Sequence, residues 1–92
     1  MKIDFSPACQ KKLAVIKRKD QALFKLISKQ LVCFQQQPAH PSLRLHKLKG
    51  SLDDTWSISI NKSIRMIFYY RQMAEEKRAV FFAVGTHEEV YK

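Results

Sequence analysis

Glycine is scarce in this chain: Gly50 and Gly85 are the only two among 92 residues. A cradle of backbone amides around a phosphate needs several glycines close together, so a Gly-rich phosphate loop is excluded. A nucleophile elbow, a carboxylate pair at catalytic spacing and a metal-ligand cluster are absent as well. Cysteine is equally sparse. Cys9 and Cys33 each sit inside a helix-like apolar pattern, with no further cysteine and no histidine at ligand spacing. They read as buried free thiols of a reducing compartment rather than a zinc site. Long apolar runs are missing too. The opening residues cannot form a signal peptide, and no segment approaches the roughly 18 apolar residues of a membrane span. The expectation is a cytoplasmic protein.

Acidic residues are few, eight against seventeen Lys and Arg, for a net charge of +9. The imbalance is local. Residues 1–49 hold eleven basic residues against Asp4 and Asp20, whereas residues 50–92 hold six of each sign. An excess confined to one half points to a polyanionic partner, nucleic acid first. A solvated helix face is the other account of the lysines in the first helix.

What the chain does have is apolar patterning. A hydrophobic content of 46% is ample for a compact core, and residues 1–92 have room for one domain. Ile3 and Phe5 alternate in a short opening strand. Ser6-Pro7 marks a helix start, since Ser caps free amides and Pro at the first helical position loses no hydrogen bond. Cys9, Leu13 and Ile16 form the apolar stripe of that helix. Asp20 caps a second helix, whose stripe is Leu23, Ile27, Leu31 and Phe34, and which ends before Pro38. Period-two alternation then predicts strands over Leu43–Gly50, Trp56–Asn61 and Ile64–Arg71, with a tight turn at Asn61-Lys62-Ser63. Gln72–Lys77 reads as a polar loop holding acids, as does the segment with Asp53 and Asp54. Ala79–Val84, apolar at every position, reads as an interior strand.

The fold class is therefore α+β, in the order β-α-α-β-β-β-β: a small, mainly antiparallel sheet with a helical hairpin on one face. Trp56, Ile58, Met66, Phe68 and Tyr70 fall on the parity that faces the helices. Arg44, His46, Ser57, Ser59, Arg65, Tyr69 and Arg71 fall on the other, which is rich in donors and cations.

A catalyst on that open face works with His, Arg, Lys and Tyr alone. Such groups suit RNA cleavage by attack of the 2′-hydroxyl on its own 3′-phosphate, which needs a base, an acid and cations around the phosphorane. The residues here resemble a known group. Leu45-His46-Lys47-Leu48-Lys49-Gly50 with Trp56-Ser57-Ile58-Ser59-Ile60-Asn61 and Arg65-Met66-Ile67-Phe68 is similar to the HigB branch of the RelE/ParE toxin superfamily of bacterial toxin–antitoxin systems. Gly85-Thr86-His87-Glu88-Glu89-Val90-Tyr91 resembles the tail of its YafQ branch.

The resemblance implies the RelE-like fold and a ribosome-dependent mRNA endonuclease that needs no cofactor or metal and is neutralised by a cognate antitoxin. By motif, Arg65 matches the arginine that meets the scissile phosphate, His87 the tail acid or base, and Tyr91 the aromatic at the cleavage site. Lys47 and Lys49 match basic residues that steer the message, and Arg44, His46, Lys62 and Arg71 complete the RNA-binding set. The chain also departs from the pattern. Ala83 stands where YafQ-like chains carry an arginine; Ser57, Ser59 and Ser63 replace basic, histidine or acidic positions. Two other readings stay open: a ParE-like toxin that binds DNA gyrase, and a toxin that binds its antitoxin but cuts weakly. Bland roles also stay open, with Arg65 bridging Glu88 or Glu89, His87 capping the chain end, and Trp56 and Tyr69 packing.

Overall fold

The structure, a computed structural model, describes residues 1–49 and 54–90. Strand β1 (Lys2–Phe5) leads into helix α1 (Pro7–Lys19) and helix α2 (Gln21–Gln36). A 3-10 turn (Pro41–Leu43) precedes β2 (His46–Lys47), β3 (Thr55–Ser59), β4 (Ile64–Met73), β5 (Glu76–Thr86) and the short helix α3 (His87–Val90). The five strands form one sheet in the order β1-β5-β4-β3-β2. β1 runs parallel to β5 and every other pairing is antiparallel. The expected order of elements holds, and β5 is interior as its apolar run predicts. Among the described residues no helix is long and apolar enough to cross a membrane.

The helix boundaries follow from their caps. Ser6 Oγ accepts from the Cys9 amide at 3.1 Å, and Pro7 stands in the first turn. Asp20 closes α1 and opens α2: its amide donates to the Ile16 carbonyl at 2.8 Å and its carboxylate accepts from the Leu23 amide at 3.0 Å. Lys17, Arg18 and Lys19 sit in the last turn of α1, where the helix dipole favours cations.

Both helices cover one face of the sheet. Ile27, Leu31 and Phe34 of α2 meet Ile58, Met66, Phe68 and Phe81 in a single core. The Phe34 ring stands edge-on to Phe68 and Phe81, at centroid distances of 5.1 and 5.6 Å. Such contacts add about 0.5–1.5 kcal/mol each beyond area burial. Cys9 is buried and Cys33 half-buried, both as free thiols.

Two strand expectations need correction. The strand expected over Leu43–Gly50 is only His46–Lys47, and Gly50 lies outside the described residues. Pro41 starts a 3-10 turn that His40 caps, Leu43 drops fully into the core, and Arg44 turns left-handed at φ 48°. A burial pattern shared by a turn and a strand mimicked a longer strand. The expected loop Gln72–Lys77 is also mostly strand. β4 and β5 are joined by Ala74 and Glu75 alone, with Ala74 at φ 51°. Glu76 is thus not a solvated turn residue: it lies on β5 and pairs with Lys2 and Arg78.

Candidate nucleic-acid interface

The cross-strand register places Arg65, near the start of β4, opposite Ser59 on one side and Gly85 on the other. Directly opposed residues share a face, so Arg65 stands on the face away from the core phenylalanines. A cleft of about 840 Å³ opens beside it, walled by α2, by the 3-10 turn with Arg44, and by the β3–β4 turn. Lys29, Arg44, Lys62 and Arg65 line this cleft, and no described acid does. None of the four forms an ion pair among the described residues, whereas Lys2, Lys12, Lys47 and Arg78 are each paired with a carboxylate. Four unneutralised cations around a concave surface focus a positive potential there. The bridge from Arg65 to Glu88 or Glu89 does not form; Glu89 is engaged elsewhere.

Buried Gln30 holds the cleft together. Its Nε2 donates to the Ser59 carbonyl at 3.0 Å and to the Ser42 carbonyl at 3.3 Å, tying α2 to the end of β3 and to the 3-10 turn. Asn61 fixes the opposite rim. Its side-chain oxygen accepts from the Ser63 and Ile64 amides at 2.8 and 2.7 Å, the local bond that makes Asn a turn former. Lys62 therefore projects from a defined turn. His40 also lines the cleft, with Nδ1 accepting from the Ser42 amide at 3.1 Å.

His87 stands at the same end of the sheet but outside the lining of this cleft. Thr86 is opposite Ile64, so His87 begins α3 one residue beyond the last β4–β5 pair. The turn is built by a reciprocal cap. The Thr86 amide donates to Glu89 Oε1 at 2.8 Å, and the Glu89 amide donates to Thr86 Oγ1 at 3.3 Å. Lys12 of α1 adds an ion pair to Glu89 at 3.3 Å. The Thr86 amide, then its hydroxyl and Lys12, hold the Glu89 carboxyl below its ordinary range. Gly85 allows this close approach: a Cβ at that position would stand 3.0 Å from Glu89 Oε1 and 3.2 Å from Glu89 Cβ, so Glu89 would have to shift by a few tenths of an ångström. Much of the tail motif thus encodes a docked turn that presents His87 to solvent.

The remaining predicted residues divide. Arg44, Lys62 and Arg65 converge on the cleft. Arg44 does so from the left-handed turn residue, not from the strand that alternation predicted. His46 is on the open face at the edge of the sheet, opposite Ser57, with Nδ1 at 3.0 Å from the Arg44 carbonyl oxygen. Lys47 is opposite Trp56, on the other face, and its Nζ pairs with Asp54 at 2.8 Å. That hydrogen bond and charge hold the Asp54 carboxyl below its usual value. Lys49 is exposed beyond β2. Arg71 lies farther along β4, opposite Arg78. Tyr91 lies outside the described residues.

The open face is less open than its parity suggested. Ser57 and Ile67 lie on it yet are 0% and 2% exposed, and buried Ser59 donates its hydroxyl to the Asn61 carbonyl at 2.9 Å. Sequence reading missed Lys29, Gln30 and His40. Gln30 did leave a signal: it is a polar residue three places after Ile27 and four before Phe34, inside the buried stripe. Lys29 left none, because on a helix it resembles any solvated lysine. Among the described residues no three His, Cys, Asp or Glu side chains are grouped so as to hold a metal ion.

No family model matches the chain, and no curated protein matches its sequence. Solved structures do match its fold. A YoeB/ParE toxin from Agrobacterium tumefaciens superposes with a TM-score of 0.77 at 18% identity, covering 95% of this chain and 99% of that one. A chain of the heterotetrameric YoeB–YefM toxin–antitoxin complex from Staphylococcus aureus gives 0.73 at 20%, covering 95% and 97%. YafQ from Escherichia coli strain BL21(DE3) gives 0.64 at 21%, covering 98% and 97%. The chain has the mixed α+β fold of these toxins, with an open five-stranded sheet.

Proposed function

We propose that this protein is the toxin of a toxin–antitoxin pair and acts as a ribosome-dependent mRNA endonuclease. The observation that carries the reading is Arg65, which projects without a counter-ion among the described residues into a cleft it shares with Lys29, Arg44 and Lys62. A guanidinium on a strand offers fixed, bidentate donors to a phosphoryl oxygen. The three neighbouring cations favour a polyanion and stabilise charge that grows on the phosphorane.

The reaction is attack of the 2′-oxygen on the adjacent phosphorus. The 2′-proton goes to a base, the bond to the 5′-oxygen breaks, and an acid protonates that oxygen, leaving a 2′,3′-cyclic phosphate and a 5′-hydroxyl. His87, on the docked turn at the Arg65 end of the sheet, is assigned one of these proton transfers, since an imidazole can both accept and donate a proton. Tyr91 remains the other tail candidate, by resemblance alone. The cleft does not hold Arg65 and His87 together, so the message must be positioned from outside. Ribosomal placement of the RNA supplies proximity and orientation.

The antitoxin is expected to be an acidic or amphipathic segment that covers these cations; the YoeB–YefM complexes among the structures of similar fold support a protein partner. A second reading, a toxin that binds antitoxin but cuts weakly, is favoured by one feature. Ala83, opposite Ile67, leaves the middle of the open face without a cation. The deciding test is cleavage of mRNA on programmed ribosomes by purified protein, with product ends identified. Cyclic or 3′-phosphate ends support the nuclease. No cutting at saturating protein, with antitoxin binding intact, supports the weakened toxin; an arrest of DNA replication before translation supports a gyrase inhibitor.

A further inference from the structure

A second feature of the open face is not used by the Arg65 cleft. The β4–β5 ladder slips between Ile67 and Phe68: Ile67 is opposite Ala83 and Phe68 is opposite Phe81, so Phe82 is an extra residue with no partner. A bulge of this kind re-aims a side chain. Here Phe81 stays fully buried while Phe82 turns outward, 36% exposed, beside Tyr69 at 37%. The two rings lie 5.9 Å apart at an interplanar angle of 39° and border a cleft of about 480 Å³ with Thr55, Tyr70 and Asp54 on its rim.

Charge decides what this platform suits. Along β4 the same face carries Arg65, Tyr69 and Arg71 at even spacing, so Arg65 stands about 13 Å and Arg71 about 7 Å from Tyr69 along the strand. Both arginines lack an ion pair among the described residues. Arg78, opposite Arg71, has its charge taken by Asp4 at 3.1 Å and Glu76 at 2.8 Å. Two exposed rings flanked by free guanidinium groups on a sheet are the arrangement that holds a single strand of nucleic acid: bases stack and cations follow the phosphates.

We propose that Tyr69 and Phe82 form a stacking subsite for one unpaired base of the RNA strand, beyond the nucleotide whose phosphate meets Arg65, with Arg71 on a phosphate farther along. The proposal rests on the RNA reading above and names a subsite within it. Phe82 is the principal ring, because the register slip turns it outward; Tyr69 is its side wall.

The test is equilibrium binding of a single-stranded oligoribonucleotide with 2′-O-methyl sugars, which cannot undergo attack by the 2′-oxygen, carrying one 2-aminopurine whose fluorescence falls on stacking. The parent protein is expected to bind with strong salt dependence and to quench the probe. Phe82→Ala should weaken binding about 5-fold to 150-fold, the change that corresponds to about 1–3 kcal/mol per stacked base, and should abolish quenching. Tyr69→Ala should do the same to a smaller degree. Phe82→Tyr and Tyr69→Phe keep the rings and should bind as the parent does, which separates loss of a ring from loss of the fold. Arg71→Ala should lower the salt slope by about one phosphate contact and leave quenching in place. If the alanine variants bind and quench like the parent, the subsite is overturned while the RNA reading stands. If the parent shows no salt-dependent binding even at low ionic strength, the stacking subsite is overturned, whereas the RNA reading stands or falls separately on cleavage with programmed ribosomes.

Discussion

Gln30→Met is the perturbation that best tests how the cleft is built. Methionine keeps the length and apolar stem of glutamine and removes only the donor, so cavity formation contributes little. Gln30 is 9% exposed, and its Nε2 serves two carbonyls, those of Ser59 and Ser42. Ser42 is exposed and its carbonyl can turn to water; Ser59 is buried, and its carbonyl loses its donor. A buried acceptor left unsatisfied costs about 1–3 kcal/mol. For a chain of this size each kcal/mol lowers Tm by about 4–8 °C. Denaturant unfolding of parent and variant, with the slope compared as well as the midpoint, reads the loss directly. The same substitution frees α2 from the β3–β4 turn, so Lys29 and Arg65 should face a polyanion less cooperatively, and oligonucleotide affinity should fall with the stability. A variant within about 0.5 kcal/mol of the parent, with unchanged affinity, would refute the idea that Gln30 fastens the cleft.

Gly85→Ala should displace the tail, because the new methyl meets Glu89 Oε1 and Cβ at 3.0 and 3.2 Å; faster hydrogen exchange at the Thr86 and Glu89 amides with an intact core is the expected signature. Glu89→Gln should have a milder effect and should remove a stabilisation that the parent loses as pH falls below the ordinary carboxylate range, since the folded carboxyl is held low. Burial pushes the Cys9 thiol up to about 11 from its usual 9.0. A thiol held protonated in the fold stabilises below its unfolded value and loses that contribution as pH rises from about 9 to about 11. An alkylating reagent at neutral pH should therefore label half-buried Cys33 well before Cys9, and equal rates would contradict the burial of Cys9.

Much of this was legible in the chain itself, for reasons that particular residues make plain. Ser6, Asp20 and Asn61 each act through bonds to amides two or three residues away, so local sequence determined both helix starts and the β3–β4 turn. Alternation placed Trp56, Ile58, Met66 and Phe68 against the helices because strand side chains obey a strict period. Alternation failed at Leu43-Arg44-Leu45, where burial of Leu43 by a 3-10 turn imitates a strand. It also failed to reveal the Phe82 bulge, which depends on pairing with β4 and leaves no mark in an all-apolar run. Arg65, Arg44 and Lys62 were found by type, but Lys29 reaches the site only through the packing of α2. The tail resembles a chemical motif, yet its Thr86 and Glu89 are chiefly the frame that holds His87. Parallel pairing of β1 with β5 was invisible, being a contact between the two ends of the described chain.

The central claim is that Arg65 stabilises the charge of a cleaving phosphate while His87 moves a proton. Single-turnover cleavage on ribosomes saturated with each variant separates the two. Arg65→Ala should lower the rate on the order of 10²–10³-fold at all pH values. Arg65→Lys should recover part of it, since a point charge replaces a bidentate fork. His87→Ala should lower the rate as well, and added imidazole should restore part of it, which it should not do for Arg65→Ala. An Arg65→Ala variant that cuts at the parent rate, with fold and antitoxin binding unchanged, would contradict the account.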